Sequence, residues 1–356
     1  MQRVLVAAVL LTLLAAAPAA AQDPAIAFWP HPGKSGPAAK IGPASDPAKE
    51  HEPGLVLVRL APGVDAMEEL GPDAELVFGR WWKVPGEPGE KANDALWRFA
   101  QKSSVEVVEL NYILRLPQPE GSGSFGPMSG LGAKLAPNDP GYPLQWHFSK
   151  VQAASAWDRS TGNGVVVAVI DSGITRAGED LTCRTFVHDY NAITQTSGSG
   201  AANDDHGHGS HVAGTVAQCT NNGKGVAGLA YSSTLMPIRV CTADGCPSDA
   251  TARGIDWARS HGAKVINMSL GAPCNGVTWP TCSVAIQNDA IAAAAAADVV
   301  IVAAAGNEDQ GTVGRPANHP DVIAISATGF NNVITQYSNY GAALTLAAPG
   351  GIWPWT

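Results

Sequence analysis

The chain has 356 residues, 45% of them hydrophobic and 15% charged, with a net charge of -9. That length and apolar content suffice for one large or two modest folded units and exclude a wholly disordered chain. Nucleic acid and anionic membranes attract concentrated Lys and Arg, which an acidic chain does not offer, so soluble partners are expected, with no nucleic acid and no stable membrane association.

The N-terminus, MQRVLVAAVLLTLLAAAPAAAQDPA, places Arg3 before an apolar run that ends in small residues. It reads as a secretory signal, residues 1–21, cleaved after Ala21, and implies an extracellular or periplasmic protein. A membrane anchor is the alternative, but the run is short for a spanning helix. Residues 22–53, rich in Pro, Ala, Gly and Lys, read as a flexible lead.

A compact unit follows at 54–116. GLVLVRL, AELVFGRWWKV and VEVVELNYILRL are strand-like, while VDAMEELG and ANDALWRFAQKS are helix-like, the latter with Leu96, Phe99 and Ala100 on one face. The order predicts a small α+β sandwich. Residues 117–138 carry a Gly, Pro and Ser-rich stretch and read as a linker.

Beyond it the pattern becomes alternating. VVVAVI, STLMPIRV, AKVINMSL, DVVIVAAAG and DVIAISAT are nearly continuous apolar runs, as strands buried on both faces must be. HVAGTVAQ, DATARGIDWARSHG and SVAIQNDAIAAAAAA between them are helix-like. The α/β class follows, a doubly wound parallel sheet whose sites form beyond the carboxyl ends of its strands.

Three segments put chemistry there. VVVAVI runs into Asp171 in VIDSGI. DDHGHGSHVAGTVA places His206, His208 and His211 where Gly-rich turns lead into a helix, and a base at a helix start can reach both an Asp and a nucleophile. IVAAAGNED presents Asn307 after a buried strand, where a side-chain amide can donate to a developing oxyanion. Six cysteines, Cys183, Cys219, Cys241, Cys246, Cys274 and Cys282, all lie after the signal and favour disulfides in an exported chain. Cys241/Cys246 and Cys274/Cys282 are spaced to close short loops, which leaves Cys183/Cys219, although spacing alone does not fix the pairing. A cysteine zinc site competes poorly, because no CxxC pair occurs.

In their order and setting, VIDSGI, HGSHVAGT and AAAGNED resemble the catalytic-Asp, catalytic-His and oxyanion-Asn motifs of the subtilisin-like serine endopeptidases, over roughly residues 138–350. The resemblance implies a catalytic domain at 139–356, with Asp171 supporting the imidazolium, His208 as general base and then acid, and Asn307 in the oxyanion hole. Ser210 stands where the family more often has Thr, and His206 and His211 support the catalytic residues or pack. MSLGAPC resembles the substrate-lining strand, so Ser269, Leu270 and Gly271 would offer backbone groups to an extended peptide, with protein or peptide substrates as partners. Asp180 and Asn221 fall where family members place calcium ligands. Residues 54–116 resemble an inhibitory prodomain, with processing in the linker; a carbohydrate-binding or adhesive module is the alternative.

The family's nucleophile sits in a Gly-Thr-Ser-Met-Ala-like motif after the AAPG stretch. Here TQYSNYGAALTLAAPG matches the approach, IWPWT follows, and no such motif occurs in the 356 residues. Ser326 and Ser338 lie upstream without that context. The expectation is therefore a C-terminally incomplete subtilisin-like chain, inactive as written, since loss of the nucleophile removes about six orders of magnitude of turnover. The alternative is a non-catalytic peptide-binding or decoy protein on the same fold.

Overall fold

The computed structural model describes residues 41–42, 50–116, 136–178 and 180–351. The predicted signal, most of the flexible lead and linker, and the IWPWT ending lie outside the described residues.

The first unit is an antiparallel sheet with helices on one side. Its elements are β1 (His51–Leu60), α1 (Ala66–Leu70), β2 (Glu75–Phe78), β3 (Trp81–Pro85), α2 (Ala92–Ala100) and β4 (Val105–Leu114). The single strand expected over AELVFGRWWKV is two, β2 and β3, which pair across Gly79 at positive φ. Asp65 caps α1 by accepting from the Met67 and Glu68 amides. Helix α2 buries Leu96, Phe99 and Ala100, the face its spacing predicts, together with Ala92, Ala95 and Trp97.

The second unit opens with two short helices, α3 (Trp146–Lys150) and α4 (Ala153–Trp157), and continues through β5 (Val166–Asp171), β6 (Tyr190–Asn191) and β7 (Thr196–Ser197). Then come α5 (His208–Ala217), β8 (Thr234–Arg239), β9 (Cys246–Pro247), α6 (Ser248–Ser260) and β10 (Val265–Met268). The last elements are α7 (Ala285–Ala296), β11 (Val300–Ala304), β12 (Ile323–Thr328) and β13 (Leu346–Pro349). The large sheet has the order β13-β12-β11-β10-β5-β8-β6-β7 and is parallel except for the β6–β7 pair. Its central strands are apolar on both faces because helices cover both: Ala168, Ile170, Ile238, Ile266 and Met268 are fully buried. The α/β, subtilisin-like fold expected from the sequence is the one observed.

The two units share a sheet and a core. Strand β4 continues past β1 onto β9, pairing Ile113 with Pro247 and Leu114 with Cys246. Beneath it, β4 caps two helices of the second unit. The fully buried Glu109 carboxylate accepts from the Ala285 and Ile286 amides at the start of α7, each at 2.8 Å. Asn111 Oδ1 accepts from the Asp249 amide in the first turn of α6 (3.1 Å), while Asn111 Nδ2 donates to the Asp249 carboxylate (2.8 Å). These side chains satisfy amides that a helix start leaves without partners. Lys83 and Arg253 surround Asp249, and Arg59 and the Trp81 indole both reach Asp289 at 2.7 Å. Burial pushes the Glu109 carboxyl up to about 7, outweighing its two amide donors.

Candidate active site

Asp171 ends β5 with no solvent exposure, and His208 begins α5. Their contact is direct, His208 Nδ1 to Asp171 Oδ1 at 2.8 Å. The same Asp171 oxygen accepts from the Ser172 amide at 2.7 Å. Gly209 makes the approach possible. A Cβ there would collide with the Gly173 carbonyl and lie 3.1 Å from the Asp171 side chain. Gly209 of the HGHGS stretch is therefore a packing requirement of the Asp–His contact.

A second buried carboxylate, Asp204, holds this arrangement and was not singled out from the sequence. One of its oxygens accepts from the Ser172 hydroxyl (2.8 Å) and the His206 and Gly207 amides (3.0 and 2.9 Å). The other accepts from the Ser210 amide and hydroxyl (2.9 and 2.6 Å). Although burial opposes it, the donation from Ser210 and the three amides holds the Asp204 carboxyl below the usual range. Ser172 in turn accepts from the Gly209 amide, and Ser210 from the Thr175 amide, both at 2.9 Å. The end of β5 and the start of α5 are thus latched through one carboxylate. The signal was present as an Asp four residues before His208. Ser210 fulfils what the Ser-for-Thr change preserves, a hydroxyl.

Asn307 lies beyond β11 with its side chain exposed. The sheet order places the ends of β5, β10 and β11 side by side, so Asp171, Ser269 and Asn307 emerge on one rim. Asn339, fully buried, braces that rim by accepting from the Glu308 and Gln310 amides and donating to the Ala305 carbonyl. His206 has its ring 6.4 Å from that of His208, with Nδ1 buried and unpartnered. His211 is exposed on α5, where it does not pack. Ser338 is buried, accepting from the Ala327 amide, and Ser326 is buried within β12; neither meets His208. Among the described residues, no serine hydroxyl is bonded to the imidazole.

The segment after β10 carries a peptide strand. Gly271 and Arg115 exchange both backbone hydrogen bonds, Arg115 N–H to the Gly271 carbonyl at 2.8 Å and Gly271 N–H to the Arg115 carbonyl at 3.1 Å. Leu270 is buried behind it, and the Ser269 hydroxyl accepts from Asn267 at 3.0 Å. On the far side β9 pairs with Ile113 and Leu114, so residues 113–115 are gripped between two strands. Gly245, at φ +120°, lies so close that a Cβ would strike the Ile113 side chain and the Leu114 carbonyl. The Cys241–Cys246 disulfide closes the turn carrying that glycine. The other bridges are Cys183–Cys219 and Cys274–Cys282.

The proposed calcium pair is not brought together. Asn221 Oδ1 accepts from the Asn138 amide (3.2 Å), whereas Asn222 stands beside Asp180, its amide 2.9 Å from Asp180 Oδ1. Asp180 Oδ2 also accepts from Val226 N–H (2.9 Å). Asp139, overlooked in the sequence, accepts from the Asn221 and Asn222 amides of the same loop. Among the described residues, no cluster of three or more His, Cys, Asp or Glu could hold a metal. Asp180, Asp139 and Asn222 nevertheless carry oxygen donors of the kind calcium takes around one loop, and Asn221 does not join them.

Known proteins match this arrangement. The Subtilase family, peptidase family S8, matches residues 162–353. The Extracellular protease of Xanthomonas campestris pv. campestris is 38% identical over 259 residues, 62% of this chain and 43% of that protein. Subtilisin Savinase of Lederbergia lenta is 38% identical over 209 residues, 58% of this chain and 72% of that protein. Among solved structures, a Pseudoalteromonas arctica protease aligns with a TM-score of 0.54 at 34% identity, covering 61% of this chain and 73% of that one. Fervidolysin from Fervidobacterium pennivorans, described as a keratinolytic enzyme related to subtilisin, shares the fold with a TM-score of 0.66 at 23% identity, covering 87% and 48%. The chain spans less than half the length of its Xanthomonas relative. No described helix is long and apolar enough to cross a membrane. With the Asp171–His208 contact and Asn307 on one rim of a parallel sheet, the chain belongs to the subtilase family of serine-type endopeptidases.

Proposed function

We propose that the protein is a secreted serine endopeptidase whose residues 54–116 act as an intramolecular inhibitor. The observation that carries the catalytic reading is the 2.8 Å contact between His208 Nδ1 and the buried Asp171, with Asn307 on the same rim. That contact leaves Nε2 of His208 to take the proton of a serine hydroxyl as its oxygen attacks the peptide carbonyl carbon. Asp171 holds the ring through Nδ1 and supports the imidazolium. Negative charge moves to the carbonyl oxygen, where Asn307 donates; removal of such a donor costs roughly 3 to 4 kcal/mol of barrier. Collapse breaks the C–N bond as His208 returns its proton to the leaving amine, and water activated by the same imidazole then cleaves the acyl-enzyme ester.

The inhibitor reading rests on Arg115 and Leu114. They lie antiparallel to Gly271 and β9, where the main chain of an extended substrate would add as a strand. Export is supported by the signal-like N-terminus and three disulfides. At the 219–226 loop, calcium would be held by Asp180 and Asn222 and would supply stability only.

The test is to read the coding DNA beyond Thr356 and assay its product on casein, with and without His208→Ala. Hydrolysis that disappears with His208→Ala is expected, while the 356-residue chain itself gives background labelling by a fluorophosphonate probe. Hydrolysis that survives His208→Ala, or His208-independent labelling, contradicts the assignment.

A further inference from the structure

Arg315 is only 3% exposed, yet its Nε and Nη1 have no hydrogen-bond partner. Burial pushes its pKa down, with Tyr112 and Glu109 opposing. A guanidinium is a five-donor fork that is costly to leave without acceptors. What covers it is the ring of Tyr112, whose centroid is 5.1 Å from the guanidinium carbon. Such a contact is favourable but satisfies no N–H donor.

The backbone fixes Arg315 beside the groove. Arg315 and Ala272 exchange backbone hydrogen bonds at 2.9 and 3.0 Å, and Ala272 directly follows Gly271. Tyr112 belongs to the strand that fills that groove, three residues before Arg115. Alternation along this strand turns Tyr112, Leu114 and Leu116 inward, all buried, while Ile113 is half-buried and Arg115 exposed. A peptide replacing residues 112–116 therefore meets apolar surroundings at two inward positions and an acceptor-poor cation at the third.

We propose that Arg315 forms an anion-accepting subsite at the upstream end of the peptide groove, specific for an acidic side chain three residues before the one that pairs with Gly271. The inference rests on reading residues 112–116 as a substrate-like strand. A carboxylate has the paired acceptors that match the guanidinium fork, which an aromatic ring lacks. Residues 51–116 mask this cation, so the subsite becomes available to a substrate only when that unit leaves.

The test uses the full chain, with its own strand standing in for substrate. Tyr112→Glu and Tyr112→Gln, which differ only in charge, are compared by thermal unfolding in the parent and in an Arg315→Met background. Tyr112→Glu is expected to melt about 2 to 4 °C above Tyr112→Gln in the parent, and no higher than it with Arg315→Met. A Tyr112→Glu midpoint at or below that of Tyr112→Gln in the parent overturns the subsite, as does an equal gain in both backgrounds. The parent comparison alone can refute it even where Arg315→Met does not fold. Leu114→Asp separates the two readings: an unchanged midpoint sinks the groove-strand reading itself, whereas a lowered midpoint without the gain from Tyr112→Glu sinks only the subsite.

Discussion

Arg115 of the first unit and Gly271 of the second are hydrogen-bonded to one another in both directions, at 2.8 and 3.1 Å. That reciprocal pair joins the strand leaving the small sheet to the segment that follows β10, and so brings the chain's own backbone to the rim bearing Asp171, His208 and Asn307. The packing behind it is extensive: Glu109 and Asn111 cap α7 and α6, and Leu114 is fully buried.

The Glu109 carboxyl gives this docking a pH dependence. Its folded value, raised by burial to about 7, lies above its ordinary 4.5, with Asp289 adding to the rise and Arg59 opposing it. The folded state then holds a proton that the unfolded chain releases. Its contribution is fully present below the unfolded value and is lost as pH rises through the folded one, a change on the order of 3 kcal/mol. Denaturation midpoints of the full chain should fall between pH 4.5 and about 7, and Glu109→Gln should flatten that slope. A slope unchanged in the variant assigns the effect to other groups.

Replacing Asp171 with Asn keeps the shape of the buried side chain but removes the charge that supports the imidazolium. In an active product the substitution should reduce kcat by about four orders of magnitude. An unchanged kcat would separate the two residues functionally despite their 2.8 Å contact.

Calcium at the 219–226 loop is a question of linkage. An ion bound only by the folded state adds about 2.7 kcal/mol at a concentration of 100 Kd. The thermal midpoint should therefore rise with millimolar calcium, fall with a chelator, and lose this response in Asp180→Ala. A response that persists in Asp180→Ala places the ion elsewhere.

Much of this architecture was legible in the sequence because its signals are local. The buried strands have unbroken apolar runs, and Asp171, His208 and Asn307 stand at their ends or at a helix start. The structure separates AELVFGRWWKV into two strands because Gly79 turns the chain, a break that continuous hydrophobicity hides. Asp204, Asn339 and Arg315 went unnoticed for another reason. Their roles depend on partners brought close only by the fold, such as Ser172 for Asp204 and Tyr112 for Arg315. The 219–226 loop shows the limit of residue spacing: Asn221 and Asn222 are adjacent in sequence, yet only Asn222 turns its side chain to Asp180.

The occupied groove is tested most directly by residue-resolved amide hydrogen exchange of the full chain, comparing the parent with Gly245→Val. Gly245 lies against Ile113 and Leu114, and a side chain there cannot share the space. The parent should protect the Arg115 and Gly271 amides to a similar degree, and Gly245→Val should release both together while the Ile170 and Ile266 amides of the central sheet stay slow. Rapid exchange of Arg115 and Gly271 in the parent would contradict a groove filled by the chain's own strand.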